Sequence, residues 1–283
     1  MELNNAWVVI TGASRGIGAT IAKAFAQKGA TLILIARSKE GLEKTCHQVE
    51  NLGGKAHAIP FDLEKISQIE NLVEKIYKLT PRVDVLINNA GLEKYCFYTN
   101  YQCKDILSIL SVNLIAPMEL TRLLLPGMLN QRKGHIINIS SVAGKLAEIY
   151  NTLYDTSKGG MELWTDALRQ ELYKTNVKVS SINPGGVTDA GMIYNIGEKY
   201  PILLGSCTSQ DVADAVINCT SRYKSRVFVN NIPIKPLVII NVLFPRLLDA
   251  ISRWIGLTKV NRKKVEKRLR EDILKSTKEN SLN

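Results

Sequence analysis

The sequence is short of the residues that build metal centres and disulfide frameworks. Its five cysteines, Cys46, Cys96, Cys103, Cys207 and Cys219, include no Cys-x-x-Cys pair, and its three histidines, His47, His57 and His135, are dispersed. A protein zinc site needs three or four such ligands brought together, so no resident metal is expected. An odd number of scattered cysteines fits reduced thiols in a cytoplasmic compartment better than paired ones. Aromatic residues make up only 6% of the chain, and the 26 Asp and Glu are outnumbered by 37 Lys and Arg. The resulting net charge of +11 suits a polyanionic cofactor, an anionic membrane or nucleic acid. That excess is uneven: from Arg246 to the end there are eleven Lys and Arg against five Asp and Glu. The tail has no interleaved aromatics and no recognisable module, so nucleic acid is not an expected partner. Long apolar runs are missing as well. The stretch from Pro236 to Gly256 is interrupted by Asn241, Pro245 and Arg246, short of the roughly 20 residues of a spanning helix. A strand-like run opens within a few residues of Met1, so no targeting segment is expected before it.

What remains is an ordinary globular composition, 45% apolar and 22% charged over 283 residues, enough to bury a substantial core. Trp7 to Thr11 reads as a buried strand that runs into Gly12-Ala-Ser-Arg-Gly16-Ile-Gly18 and then a helical pattern closed by Gly29. Strand, glycine loop and helix in that order turn backbone amides and a helix N-terminus towards a pyrophosphate. No Gly-Lys-Ser/Thr follows, which argues against an NTPase loop. After the second strand, Thr31 to Ala36, an NAD site usually has an acid for the ribose 2′-hydroxyl. Here Arg37 and Ser38 stand instead, with Arg15 in the glycine loop. Two guanidiniums can bind a 2′-phosphate, so the cofactor is read as NADP(H).

Strands continue near Ala56 to Phe61, Val83 to Ile87, Gly134 to Ile139, Val177 to Asn183 and Arg226 to Val229, separated by helical patterns. That alternation predicts an α/β fold, a Rossmann-like doubly wound parallel sheet of seven strands flanked by helices. Ligands bind beyond the carboxyl ends of such strands. Asn88-Asn-Ala-Gly91, the adjacent Ser140 and Ser141, and Pro184-Gly-Gly-Val-Thr188 all fall there. A single helix is expected from about Lys104 to Leu129, with Pro117 freeing the carbonyl of Asn113. A further helix, extending to about Thr175, carries Tyr154 and Lys158. Four residues apart, they share one helix face, where the ammonium is expected to draw the phenol towards ionisation.

In their order along residues 5 to about 230, these stretches resemble the short-chain dehydrogenase/reductases. The matching stretches are Thr11-Gly-x-x-x-Gly-x-Gly18, Asp62, Asn88-Asn-Ala-Gly91, Asn113, Ser141, Tyr154-x-x-x-Lys158 and Pro184-Gly-x-Val-Thr188. The resemblance implies a catalytic tetrad of Asn113, Ser141, Tyr154 and Lys158, with Ser141 preferred to Ser140 because its separation from Tyr154 matches the family. It implies that Ser141 and Tyr154 touch the substrate carbonyl. Tyr154 is the general acid, Lys158 lowers its pKa and binds the nicotinamide ribose beside it, and the carbonyl of Asn113 holds a water. By the same resemblance Gly12, Ser14, Arg15, Gly16, Ile17 and Gly18 cradle the phosphates. Asp62 and Leu63 flank the adenine, Asn89, Ala90 and Gly91 the adjoining ribose, and Pro184, Gly185, Val187 and Thr188 the nicotinamide. Residues 189 to 206 correspond to a lid, whose Met192, Ile193, Tyr194, Ile202, Leu203 and Leu204 suit an apolar ligand.

The expected function is NADPH-dependent reduction of a lipophilic ketone to an alcohol, and the contrasting reading is a catalytically idle NADP-binding regulator. A homo-oligomer is expected from the resemblance. Residues 1–231 are read as the NADP-binding catalytic domain and 232–283 as a helical extension. The extension's apolar pieces, followed by Arg262-Lys-Lys264 and Lys267-Arg-Leu-Arg270, suit a peripheral anchor on an anionic membrane, a substrate cover or an oligomer contact.

Overall fold

The computed structural model describes residues 1–190 and 205–270, apart from 255, 260, 264 and 268. Strands β1 (Trp7–Thr11), β2 (Thr31–Ala36), β3 (Lys55–Pro60), β4 (Val85–Asn88), β5 (Gly134–Ile139) and β6 (Val177–Pro184) belong to one sheet. β7 (Gly186–Val187) and β8 (Ser206–Cys207) form a small separate pair, and β9 (Arg226–Val229) completes the main sheet. Its order is β3-β2-β1-β4-β5-β6-β9, with every pairing parallel. The central strands are continuous apolar runs because helices cover both faces.

One face is covered by α1 (Gly16–Ala26), α2 (Lys39–Glu50) and α7 (Ser209–Ser221), which bury Ile21, Phe25, Leu42, Val212 and Val216. The other is covered by α3 (Ile69–Leu79), α4 (Cys103–Leu110), α5 (Ala116–Asn130) and α6 (Thr152–Glu171), with Ile76, Leu120, Leu124 and Leu168 in that layer. Thr208 and Asp211 start α7 with a reciprocal capping box: the Asp211 carboxylate accepts from the Thr208 amide at 2.8 Å, and the Thr208 hydroxyl from the Asp211 amide at 3.1 Å. Among the described helices, the run Cys103–Asn130 alone is long and apolar enough to cross a membrane. Its buried Val112, Ala116, Leu120, Leu124 and Met128 are spent on this core instead.

That run is not the single regular helix expected from the pattern. Between α4 and α5, residues Ser111–Ile115 form a π-helical turn. Pro117 has no N–H to return to the carbonyl of residue 113, so the ladder widens there. The helix α6 also stops at Glu171, short of Thr175, whose hydroxyl donates to the Leu172 carbonyl at 2.8 Å and closes the end as a turn.

Because the chain enters the sheet at β1, winds outward to β3 and crosses back to β4, the order reverses between β1 and β4. A crevice therefore opens beyond Thr11 and Asn88, where two oppositely directed connections part. The extension contributes α8 (Lys235–Leu243) and α9 (Pro245–Trp254). Asn241 donates to the Lys145 carbonyl at 3.2 Å and Asn261 to the Ile149 carbonyl at 3.3 Å, tying the extension to the segment after β5. The apolar residues from Met192 to Leu204, and Lys264 and Arg268 of the basic segment, lie outside the described residues.

Candidate active site

The crevice is held open by a polar staple between two loops. The Thr11 hydroxyl accepts from the amides of Asn89 (3.0 Å) and Ala90 (3.1 Å), while the Asn89 side chain donates to the Thr11 carbonyl at 2.9 Å. The glycine loop is thereby fixed against Asn89 to Gly91. A Cβ on Gly18 would run into the carbonyl oxygen of Gly12, so α1 can approach the loop this closely only with glycine there. The amides at the start of α1 border a cavity of about 650 Å³. Gly12, Ser14, Arg15, Gly16, Ile17, Gly18, Arg37, Ser38, Asp62, Leu63, Asn89, Ala90 and Gly91 all line it. Gly41, Phe61, Leu92 and Val112 line it too and were not singled out from the sequence; Phe61 precedes Asp62 at the end of β3, which was its available signal. Ser38 caps α2, accepting from the Gly41 amide at 3.0 Å. Arg37 is largely exposed and lies 3.6 Å from Glu64, a surface pair worth at most about 1 kcal/mol and easily exchanged for a phosphate.

A second pocket of about 100 Å³ adjoins the first, sharing Ile17, Asn89 and Ala190 with it. Ser140, Ser141, Tyr154, Lys158, Pro184, Gly185 and Val187 line this pocket. The strand β5 delivers the two serines, and α6 carries the tyrosine and lysine one turn apart. A Cβ on Gly144 would stand 2.8 Å from the backbone of Lys158, so the turn after Ser141 lies directly on α6. The close approach is made at Gly144 and not at the glycines that follow Lys158: Gly159 has ordinary clearance, and Gly160 faces the Leu114 side chain.

The serines have separate duties. Ser140 is buried and donates its hydroxyl to the Lys158 carbonyl at 3.1 Å. The Ser141 oxygen accepts from the Ala143 amide at 3.1 Å and hydrogen-bonds Tyr154. Asn113 is fully buried in the π turn. Its side chain accepts from the Leu92 amide at 2.7 Å and donates to the Leu92 carbonyl and the Ser157 hydroxyl, each at 2.9 Å. It therefore clamps the loop after Gly91 to α6 and does not itself line the pocket. Thr188 also stands apart, turned towards β8, with its amide donating to the Cys207 carbonyl at 3.1 Å.

Electrostatics depart from the helix-face argument. The Lys158 ammonium, on a residue only 2% exposed, donates to the Ile139 carbonyl at 2.8 Å and lies 5.6 Å from the centre of the Tyr154 ring. Burial pushes its pKa down from 10.5 to about 8, against the opposing pull of Glu93 and Glu162. The Tyr154 pKa is raised, not lowered: burial is the largest cause and the Glu93 carboxylate the next, with the Ser141 hydrogen bond opposing them. The expected lowering by the lysine does not emerge, and the Glu148 and Asp155 carboxylates add to the rise. Glu93 and Glu148 line the pocket and escaped the sequence reading. Glu93 accepts from Asn151 at 2.7 Å, and Glu148 from the Tyr95 hydroxyl at 2.5 Å. The neighbouring Asp155 carboxyl is pushed up to about 8, chiefly by burial, with Glu148 and Glu93 adding to it. At neutral pH the site thus holds a protonated phenol, a mostly charged ammonium and a hydroxyl converging on one small pocket. Such a set can give a proton to a carbonyl oxygen as negative charge develops on it.

Among known proteins, the family model described as short chain dehydrogenase matches residues 6–201. The ketoacyl reductase HetN of Nostoc sp. is 42% identical over 269 residues, covering 93% of this chain and 94% of its own. A dehydrogenase/reductase SDR family member 7B from Xenopus tropicalis is 30% identical over 258 residues, covering 87% and 84% respectively. Of solved structures, a metagenomic short-chain oxidoreductase in complex with NADP superposes with a TM-score of 0.71 at 31% identity, over 81% of this chain and 98% of that one. A Burkholderia phymatum member in complex with NAD gives 0.78 at 23% identity, over 87% and 96%, a likeness of fold.

Proposed function

This chain belongs to the short-chain dehydrogenases and is an oxidoreductase of that family, and from that premise we propose that it reduces a lipophilic ketone to an alcohol with NADPH. The observation that carries the reading is the convergence of Ser141, Tyr154 and Lys158 on a pocket that adjoins the 650 Å³ cavity. The glycine cradle and the facing amides of α1 fit a dinucleotide pyrophosphate. Arg15 and Arg37, with no acid at the end of β2, suit the 2′-phosphate of NADP(H). When bound there, the cofactor supplies the hydride. Ser141 donates a hydrogen bond to the substrate carbonyl, and Tyr154 releases its hydroxyl proton to the developing alkoxide. Lys158 keeps positive charge beneath the phenol as it loses that proton, and Asn113 keeps the loop after Gly91 in register with α6. The likeness to a ketoacyl reductase supports a carbonyl on an acyl chain as substrate. The physical test is NADPH consumption over a ketone panel. Tyr154→Phe abolishes turnover and leaves NADPH binding intact, whereas near-normal turnover by that variant overturns the assignment. Stoichiometric NADPH binding with no turnover of any ketone favours the idle regulator.

We also read residues 232–283 as a cover for the substrate side of the domain formed by residues 1–231, with an outer face that meets a membrane. On α8 and α9, Ile239, Val242, Phe244, Leu247 and Trp254 are exposed, Val242 at 74% and Trp254 at 86%. Arg246, Arg253, Lys259, Arg262 and Lys263, in and after the same helices, are exposed too. Exposed apolar groups amid cations are the makings of a peripheral contact with an anionic bilayer. The full chain then sediments with phosphatidylserine vesicles and a Val242→Glu/Trp254→Glu variant stays behind. Equal sedimentation by both refutes this reading. The exposed Leu107 of α4, Ile115 of the π turn and Met118 of α5 suit contact with a second copy in a homo-oligomer.

A further inference from the structure

We propose that the extension roofs a separate apolar subsite that receives the hydrocarbon tail of the substrate and sets its chain length. A cavity of about 210 Å³ lies between the segment after β5 and the extension. Its apolar lining comes from both sides, Leu146 and Ile149 from the segment, and Ile234, Leu237, Leu248 and Leu257 from the extension. It adjoins the catalytic pocket, because Val142, Glu148 and Gly185 line both. The roof is fastened where it must be: Asn241 and Asn261 bind the backbone carbonyls of Lys145 and Ile149, and Asn261 is itself buried. The charged Asp249 and Arg253 in its lining are exposed and so mark the outer rim.

A carbonyl held at Ser141 and Tyr154 thus has a mostly apolar recess beside it, with the Glu148 carboxylate at the junction, where it accepts from the Tyr95 hydroxyl. The chemistry it recognises is an unbranched aliphatic chain. At ~30 Å³ for a group the size of water or methylene, the volume holds about seven carbons. Each methylene buried there raises kcat/KM roughly fourfold, the equivalent of ~0.8 kcal/mol.

This rests on the reductase reading, and the experiment separates the two. NADPH oxidation is measured with 2-alkanones from 2-butanone to 2-undecanone for the full chain, for Leu237→Trp and for Leu248→Phe, each checked for a native circular dichroism melt. In the parent chain kcat/KM climbs with each added methylene and levels off near 2-nonanone. In the filled variants the ratio of 2-nonanone to 2-butanone collapses towards one. A chain-length profile parallel to the parent's in both variants overturns the subsite. If no ketone is reduced by any form, the reductase reading fails, and the subsite is judged by saturation-transfer NMR of 2-nonanone. Signal in the parent that is lost in the filled variants supports it, and signal that is equal in all forms or missing from the parent overturns it.

Discussion

The buried ammonium of Lys158 makes a stability prediction that involves no substrate. Its pKa falls from 10.5 to about 8 on folding because burial penalises the charge. The folded state therefore binds fewer protons than the unfolded state between those values, and stability rises as pH climbs through that window. At pH 7 the lysine is charged in both states, and the penalty is about 3 kcal/mol, while by pH 10 it has fallen to about 1 kcal/mol. Lys158→Met removes the titration but also the hydrogen bond to the Ile139 carbonyl, a loss of about 1–3 kcal/mol that does not depend on pH. Comparing the two proteins at two pH values cancels that constant. Urea unfolding of the parent and Lys158→Met at pH 7 and pH 10 should show the variant gaining about 2 kcal/mol relative to the parent at the lower pH. Glu93 and Glu162, which favour the charged form, are present in both proteins, as is Asp155, and only their coupling to the ammonium is lost. A parent-to-variant difference that is the same at both pH values refutes the reasoning. It would mean that Lys158 titrates in the folded protein as it does in the unfolded one.

The paired serines give a second test. Ser141→Ala lowers kcat by about a hundredfold or more, whereas Ser140→Ala keeps most of its kcat, each variant losing about 1 kcal/mol of stability with its hydrogen bond. Steady-state kinetics separates them, with thermal melts confirming that both variants fold, and the reverse pattern in kcat shows that the active hydroxyl was misassigned. For cofactor choice, Arg37→Ala raises the NADPH KM about tenfold, the loss of one charge-assisted hydrogen bond, and leaves the NADH KM unaltered. Equal effects on the two cofactors would place the 2′-phosphate elsewhere.

The legible part of this molecule is the part in which backbone geometry dictates residue type. Gly12 and Gly18, Thr11 with Asn89, and the apolar strands are each the local solution to a steric or hydrogen-bonding demand, and such demands leave marks at fixed spacing. Tyr154 and Lys158 were legible as neighbours for the same reason, since a helix alone puts them one turn apart. Their electrostatics were not. The rise in the Tyr154 pKa comes from burial and from Glu93, Glu148 and Asp155, and two of these three carboxylates lie on other segments that only the finished fold brings beneath the phenol. Local reasoning kept the helical neighbour and missed the non-local ones. The π turn at Asn113 lies between these cases: Pro117 announced a broken hydrogen bond, but whether the helix kinks or widens depends on what the freed groups meet. Here Asn113 meets Leu92 and Ser157, and the widened turn carries it to both.

The extension lies at the other extreme. Its helices could be read from sequence as apolar and basic, but a segment with apolar groups on two sides does not say which side faces inward. The answer depends on Asn241, which looks like an interruption in the apolar run, and on Asn261 beside the basic cluster; both are points of attachment to the catalytic segment. Once those two amides fix the orientation, Leu237 and Leu248 turn to the cavity while Val242 and Trp254 are left exposed. On the proposed reading, the substrate cover and the membrane contact become a division of labour between two faces, with chain-length selectivity on the inner one and any membrane contact on the outer. The two are separable by experiment, because a charge at Val242 does not touch the recess and a tryptophan at Leu237 does not touch the outer face. A full chain that loses vesicle binding through Val242→Glu should keep its alkanone profile. If one variant abolished both properties, the two faces would not be independent, and this division of the extension would be wrong.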